Sequence, residues 1–293
     1  MKKESQFPQG KYSFGWFLLR RINLLSLDVV AGAVLSGAFA AILSGFQPAI
    51  TSWFVLGLSV WIFYTLDHLV DAYRLGRAAH TPRHLFVHRN FRVLAAIVLV
   101  LSLIDLLLVL FLLDTRVLLF GLALGGAGGI YFLLVHLAGR RSYILLKKEV
   151  IVSLIYTAGI WGMPLIQAGH EITAMQLLLP SGFLLLAFMN ILLLSYHDHG
   201  PDELDGHPTI AVVYGRKRAM QAALVTGVTV ILFSSFAFIL PFESVLKAGP
   251  LIYFLMAGSM ICLLLASGRV KNKVFFRLLT ELVFWLPGLA LLI

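Results

Sequence analysis

Apolar residues in this chain come in long unbroken runs, not in the short alternations or every-third-residue stripes of water-soluble elements. Nine runs are long enough to cross about 30 Å of hydrocarbon as helix, at about 1.5 Å per residue. They lie near 27–45, 48–66, 93–113, 117–137, 149–168, 174–196, 219–240, 248–266 and 276–293. Only α-helices satisfy their backbone within a single span, so the pattern predicts an all-α polytopic membrane protein. Connections on one side are short, for example Asp114-Thr115-Arg116. Long polar loops, at about 67–92, 138–148 and 197–218, all fall on the other side.

Charge assigns the two sides. With the N-terminus inside, 21 of the 23 Lys and Arg residues lie in inward-facing segments, and only Arg116 and Lys247 face out. Such an excess of inside positive charge predicts a cytoplasmic N-terminus, an outward C-terminus and cytoplasmic long loops in a cell inner (plasma) membrane. Composition agrees: 60% of residues are hydrophobic and 13% charged, more apolar surface than 293 residues can bury from water. The formal charge of +9 therefore reads as a topology signal and not as a nucleic-acid footprint. No cleavable leader is expected, since residues 1–25 form a basic cytoplasmic segment. The lone Cys262 excludes an intrachain disulfide. No linker divides the chain, so residues 1–293 read as one domain.

The polar loops carry the candidate chemistry. Asp67 and Asp71 stand four apart at the end of the second run, on one helical face about 5–6 Å apart at Cβ. Like charges so placed need a cation between them, and oxygen-only ligands suit Mg²⁺, which bridges readily to phosphates. A hydrated helix end with Asp paired to Arg74 or Arg77 is the plainer reading. Asp198 and Asp202 end the sixth run, with Glu203 and Asp205 beside them. Pro201 disfavours a helical Gly200, so the sixth helix is predicted to stop there and a short helical turn to begin at Pro201. That break would leave Asp198 and Asp202 free of a shared face. Tyr143 and Lys147, before the fifth run, read alone as interfacial anchors.

Together these elements resemble the UbiA-type membrane prenyltransferase superfamily over nearly the whole chain. Asp198-x-x-x-Asp202-x-x-x-Gly206-x-x-Thr209-x-x-x-x-x-Gly215 is similar to that family's second aspartate motif, Tyr143-x-x-x-Lys147 to its Tyr-x-x-x-Lys element, and Asp67-x-x-x-Asp71 to the last acids of its first motif. The resemblance implies nine helices around a central apolar cavity and Mg²⁺ held by Asp67, Asp71, Asp198 and Asp202. It also implies a prenyl diphosphate bound by Lys147, Tyr143, Arg83 and Arg74, and transfer of the prenyl group to a lipophilic acceptor within the membrane. Asp205, His68 and Thr209 are accessory candidates. The chain departs from the family where an Asn-Asp pair usually opens the first motif: Phe63 and Tyr64 stand there, and Thr81-Pro82-Arg83-His84 replaces the usual Arg-Pro segment. A terpene cyclase on the same scaffold and a non-catalytic lipid-binding relative are the alternatives.

Other features read more simply. His80, His84 and His88 recur every four residues, and His197, His199 and His207 crowd the second acidic loop. Such a set can hold a transition metal as in membrane di-iron hydroxylases, but the spacing matches no His-x-x-His-His box, and Pro82 interrupts a helix through His80. Gly121, Gly125 and Gly129 form a small-x-x-x-small ridge expected to pack closely on another helix. Asp105 and Glu281 lie within spans and are expected to face the interior, and Asp28 marks the entrance of the first. Single cysteines at positions 80 and 143 are expected to react with impermeant thiol reagents only from the cytoplasmic side; labelling from outside would reverse the topology.

Overall fold

The computed structural model describes residues 14–137, 148–168, 173–241, 244–270 and 272–292. The fold is all-helical. In chain order the helices are α1 (Phe14–Leu24), α2 (Leu27–Leu43), α3 (Ile50–Leu75), α4 (Pro82–Arg89), α5 (Phe91–Leu112), α6 (Thr115–Leu137) and α7 (Lys148–Gln167). They continue as α8 (Ala174–Asp205), α9 (Ile210–Tyr214), α10 (Arg216–Ile239), α11 (Ser244–Ala266) and α12 (Lys273–Leu282), which runs on as a 3₁₀ segment over Val283–Leu292. Among the described residues eight spans are long and apolar enough to cross a bilayer, and a ninth forms if α1 and α2, bent 74° to one another, count as one. The bend falls at Ser26, whose φ of 57° is left-handed. Each predicted run corresponds to one of these spans.

Two layers of contact hold the bundle. The larger centres on α8, which packs against α7, α10 and α11, while α2 packs along the terminal 3₁₀ segment and α3. At its heart sit aromatic rings: Phe39 meets Trp161 edge-on at 6.4 Å and Tyr253 at 6.0 Å, and Phe183 meets Phe284 at 5.8 Å. Edge-to-face geometry at these separations adds to the burial of the rings themselves. The second layer joins α3, α4 and α5 through Trp61, Ile62, Leu69, Val87 and Leu94. Large side chains such as Leu99, Phe111 and Ile239 are exposed, as a lipid-facing surface requires.

The sixth span differs from its prediction. α8 runs unbroken through Pro201 to Asp205. The ring removes only the one bond that its own N–H would have made to the His197 carbonyl. Gly206 then ends the helix at a left-handed φ of 70°, and His207 N–H closes back on the Asp202 carbonyl at 2.8 Å. The start is as well defined, with a reciprocal capping box between Thr173 and Gln176. Asp198 and Asp202 therefore share one helical face, as Asp67 and Asp71 do on α3.

The glycine ridge of α6 also departs from expectation. A Cβ at Gly121, Gly125 or Gly129 would meet nothing within 4 Å. α6 uses its other face: Leu124 and Phe120 lie over Gly159 and Gly162 of α7, and Gly128 receives the Phe63 ring. Close approach is needed instead at Gly182, where a Cβ would come within 2.9 Å of both Phe233 and the wholly buried Tyr253, whose hydroxyl donates to the Leu179 carbonyl. Gly182→Ala is expected to destabilise the bundle by about 1–3 kcal/mol, and Gly126→Ala, with nothing within 4 Å, by less than about 0.5 kcal/mol. Thermal unfolding in detergent measures both; equal melting temperatures for the two variants would remove Gly182 as a packing constraint.

Candidate functional site

The last turns of α3 and α8 stand at the same end of the bundle, bridged by α4 and the segment leading into α9. α4 is placed by Thr81, whose hydroxyl caps the helix by accepting from His84 N–H at 3.2 Å, and by Pro82 in its first turn. This start turns Arg83 and His84 inward, and both are buried. α9 is tied down at its N-terminus. Ile210 N–H donates to the buried Glu149 carboxylate of α7 at 2.7 Å, and Ala211 N–H to the Ser195 hydroxyl of α8 at 3.0 Å. Two N–H groups that no helical carbonyl can satisfy are thereby paired.

The two carboxylate pairs have distinct surroundings. Asp67 lies 4.0 Å from the Lys148 ammonium, and Asp198 lies 3.6 Å from the Arg277 guanidinium. Lys148 is also within Coulombic reach of Asp71 and Asp202, so one cation senses both pairs. Asp71 is buried, 3.8 Å from His84 Nε2. Thr209 stands against Asp202. Arg74 is exposed on the last turn of α3 and acts electrostatically on His207. Tyr143 and Lys147 lie outside the described residues.

Asp205 and His68, accessory candidates from the sequence, are committed to the protein. The Asp205 carboxylate accepts from His80 N–H at 3.1 Å, sits 2.6 Å from His80 Nδ1, and lies 3.9 Å from His84 Nδ1. His68 Nε2 faces Arg83 Nη1 at 3.1 Å. A guanidinium only donates, so this nitrogen accepts and its lone pair is used. Arg83 Nη2 donates to the Asn23 carbonyl at 2.7 Å, and Asn23 in turn donates to the wholly buried Asp28 at 2.6 Å. Arg83 thus locks the corner between α1, α3 and α4.

Burial governs the protonation of these loop groups. It pushes Arg83 down to about 10, with the Arg277 charge acting in the same sense. It pushes His84 down to about 4, helped by the neighbouring His207 ring, and it lowers His207 as well. Each shift follows from removing the charged form from water. At neutral pH both imidazoles are uncharged.

The residues standing in for the family's Asn-Asp pair separate. Phe63 is partly exposed and leans on Gly128 of α6, while Tyr64 turns inward with its ring 6.2 Å from His68. Sequence reasoning singled out neither Arg277 nor Lys148 as a site residue. Both were read as topology markers, though Arg277 and Glu281 four residues apart in an apolar run were a usable signal. Asp105 accepts from Ser59 at 2.7 Å, and Glu281 is buried beside Asn190.

Two solved structures are similar to this chain over almost its full length. An apo UbiA homologue from Aeropyrum pernix K1 is 16% identical with a TM-score of 0.60, covering 92% of this chain and 98% of its own. A UbiA homologue from Archaeoglobus fulgidus bound to DMAPP and Mg²⁺ is 12% identical with a TM-score of 0.61, covering 94% and 99%. Neither a family model nor a curated protein matches the sequence. The chain is an integral membrane protein with the UbiA-type fold.

Replacing Arg83 by Lys leaves one point charge where a fork bridged His68 and the Asn23 carbonyl. Arg83→Lys is expected to lose about 1–3 kcal/mol of stability through the orphaned buried partners. Denaturant unfolding in detergent measures this, and a wild-type midpoint would show that the corner is held by other contacts.

Proposed function

We propose that the protein is a Mg²⁺-dependent prenyltransferase that moves a prenyl group from its diphosphate to a lipophilic acceptor in the membrane. One observation carries the reading: on a UbiA-type fold, two carboxylate pairs stand on the closing turns of α3 and α8, each with a cation beside it. The donor set suits Mg²⁺, a hard ion that takes oxygen ligands and retains waters. Asp67 and Asp198 meet their cations only at 4.0 and 3.6 Å, which leaves carboxylate oxygens available for a metal. Asp67, Asp71, Asp198 and Asp202 would hold the ion. Bound there, Mg²⁺ supplies charge neutralisation and polarisation of the diphosphate oxygens.

The chain's own residues account for the rest of the reaction. Lys148, Arg277 and Arg74, with Lys147 and Tyr143 by resemblance, stabilise the negative charge that builds on pyrophosphate as the allylic C–O bond breaks. Arg83 belongs to the diphosphate set by resemblance, but its two terminal nitrogens are engaged elsewhere, so its part is to hold α4 in place. The electrophilic prenyl carbon then bonds to the acceptor, which releases a proton. The apolar helix faces keep water from the cation. The homologue bound to DMAPP and Mg²⁺ supports this substrate class for the fold. The second reading, a non-catalytic lipid-binding relative, is favoured by Phe63 and Tyr64, neither of which offers a carboxylate.

Purified protein incubated with prenyl diphosphates of several lengths and Mg²⁺, with mass spectrometry of the lipid products, separates the two. Asp67→Asn and Asp198→Asn should each weaken diphosphate binding at least about tenfold, because each removes the anion that holds the metal while keeping shape. Lys147→Ala should weaken binding and leave its Mg²⁺ dependence in place. A wild type that binds neither Mg²⁺ nor any prenyl diphosphate would leave the non-catalytic reading standing.

A further inference from the structure

Beside the carboxylate pairs stands a second kind of donor set. Asp71 on α3, His84 on α4 and His207 after α8 each offer a ligand atom, and the three atoms lie within 4.8 Å of one another. The residues come from three separate elements, far apart in sequence. The rings of His84 and His207 are 5.6 Å apart, tilted at 46°, and His84 Nε2 is 3.8 Å from the Asp71 carboxylate. That gap is too long for a hydrogen bond and close to the spacing of about 3.4 Å between two ligands on a tetrahedral ion with bonds near 2.05 Å. His207 Nε2 is buried with no hydrogen-bond partner among the described residues. On the far side of the His84 ring, Asp205, 1% exposed and anchored by His80, lies 3.9 Å from Nδ1. The far nitrogen of His84 thus faces a carboxylate, while Nε2 is turned to the site.

We propose that Asp71, His84 and His207 form a binding site for a divalent transition metal of the Zn²⁺ type, a mixed nitrogen–oxygen set that borders the oxygen-only magnesium set and shares Asp71 with it. Two imidazoles and one carboxylate leave a fourth position open. Neutral nitrogen ligands favour Zn²⁺ or Co²⁺ over Mg²⁺, which prefers oxygen and holds its waters. The ion would clamp the closing turn of α3, the start of α4 and the segment beyond α8 into one unit. Metal binding here does not depend on the prenyltransferase reading, and its test contains no diphosphate.

Detergent-solubilised protein without a polyhistidine tag is titrated with Co²⁺. One ion per chain should give visible d–d absorption that stoichiometric Zn²⁺ abolishes and a hundredfold excess of Mg²⁺ does not. His84→Gln and His207→Gln should each weaken Co²⁺ binding at least about tenfold, while His197→Gln and His199→Gln bind as wild type. X-ray absorption on Zn²⁺-loaded wild type, which needs no variant to fold, should show two imidazole nitrogens at about 2.0–2.1 Å. Co²⁺ displaced equally by Mg²⁺, an oxygen-only shell around Zn²⁺, full affinity in both glutamine variants, or no stoichiometric binding would each overturn the proposal.

Discussion

Carboxylates gathered at the edge of an apolar bundle repel one another and lose hydration, and they stay charged only where cations or donors stand close. At the polar end of this molecule, the neutralising groups arrive from every direction. Lys148 reaches Asp67 from α7, Arg277 reaches Asp198 from α12, and the His80 backbone and ring hold Asp205. Glu149 is held by the N–H of Ile210 at the start of α9. Placement of the short helices follows from these pairings. α4 must sit where Arg83 can bridge His68 and the Asn23 carbonyl, and α9 must begin where Glu149 and Ser195 can receive its first N–H groups.

The acids differ in what surrounds them. Among the described residues, Asp67 and Asp198 each face a cation at a distance beyond hydrogen-bond length, so their oxygens have room for a further partner. Asp205 is enclosed and anchored, and acts by holding others. Asp71 stands between these groups, one helical turn from Asp67 yet beside His84. A single helix end thus carries one carboxylate beside an ammonium and another beside an imidazole.

The spans were legible because hydrocarbon thickness leaves little freedom: each run of about 20 apolar residues could only be a helix, and each became one. The acid pairs were legible as pairs, since spacing of four on a helix has a single geometric meaning. The continuation of α8 through Pro201 was not, because proline statistics describe the average cost of a lost bond. Here the helix continues past the proline and is closed by the Gly206 and His207 N–H groups. The α6 ridge misled for a related reason. Small residues permit close packing without requiring it, and only the positions of Phe120 and Leu124 over α7 decide which face is used. The meeting of His84 with His207 lay beyond any spacing rule, since 123 positions separate them. Arg277 was hidden in plain view as one more basic residue among many.

The unbroken course of α8 has a consequence for depth. Twenty-four residues separate Ala174 from Asp198, and at about 1.5 Å each they carry the acid about 36 Å along the helix axis. Hydrocarbon accounts for only about 30 Å of that path. Even with moderate tilt, a helix of this length outruns the hydrocarbon, so it reaches past it at one end or both. A helix broken at Gly200 would have left the closing turn free to fold back toward the lipid. As one unbroken rod, α8 fixes the distance between its capped start at Thr173 and its acidic tip.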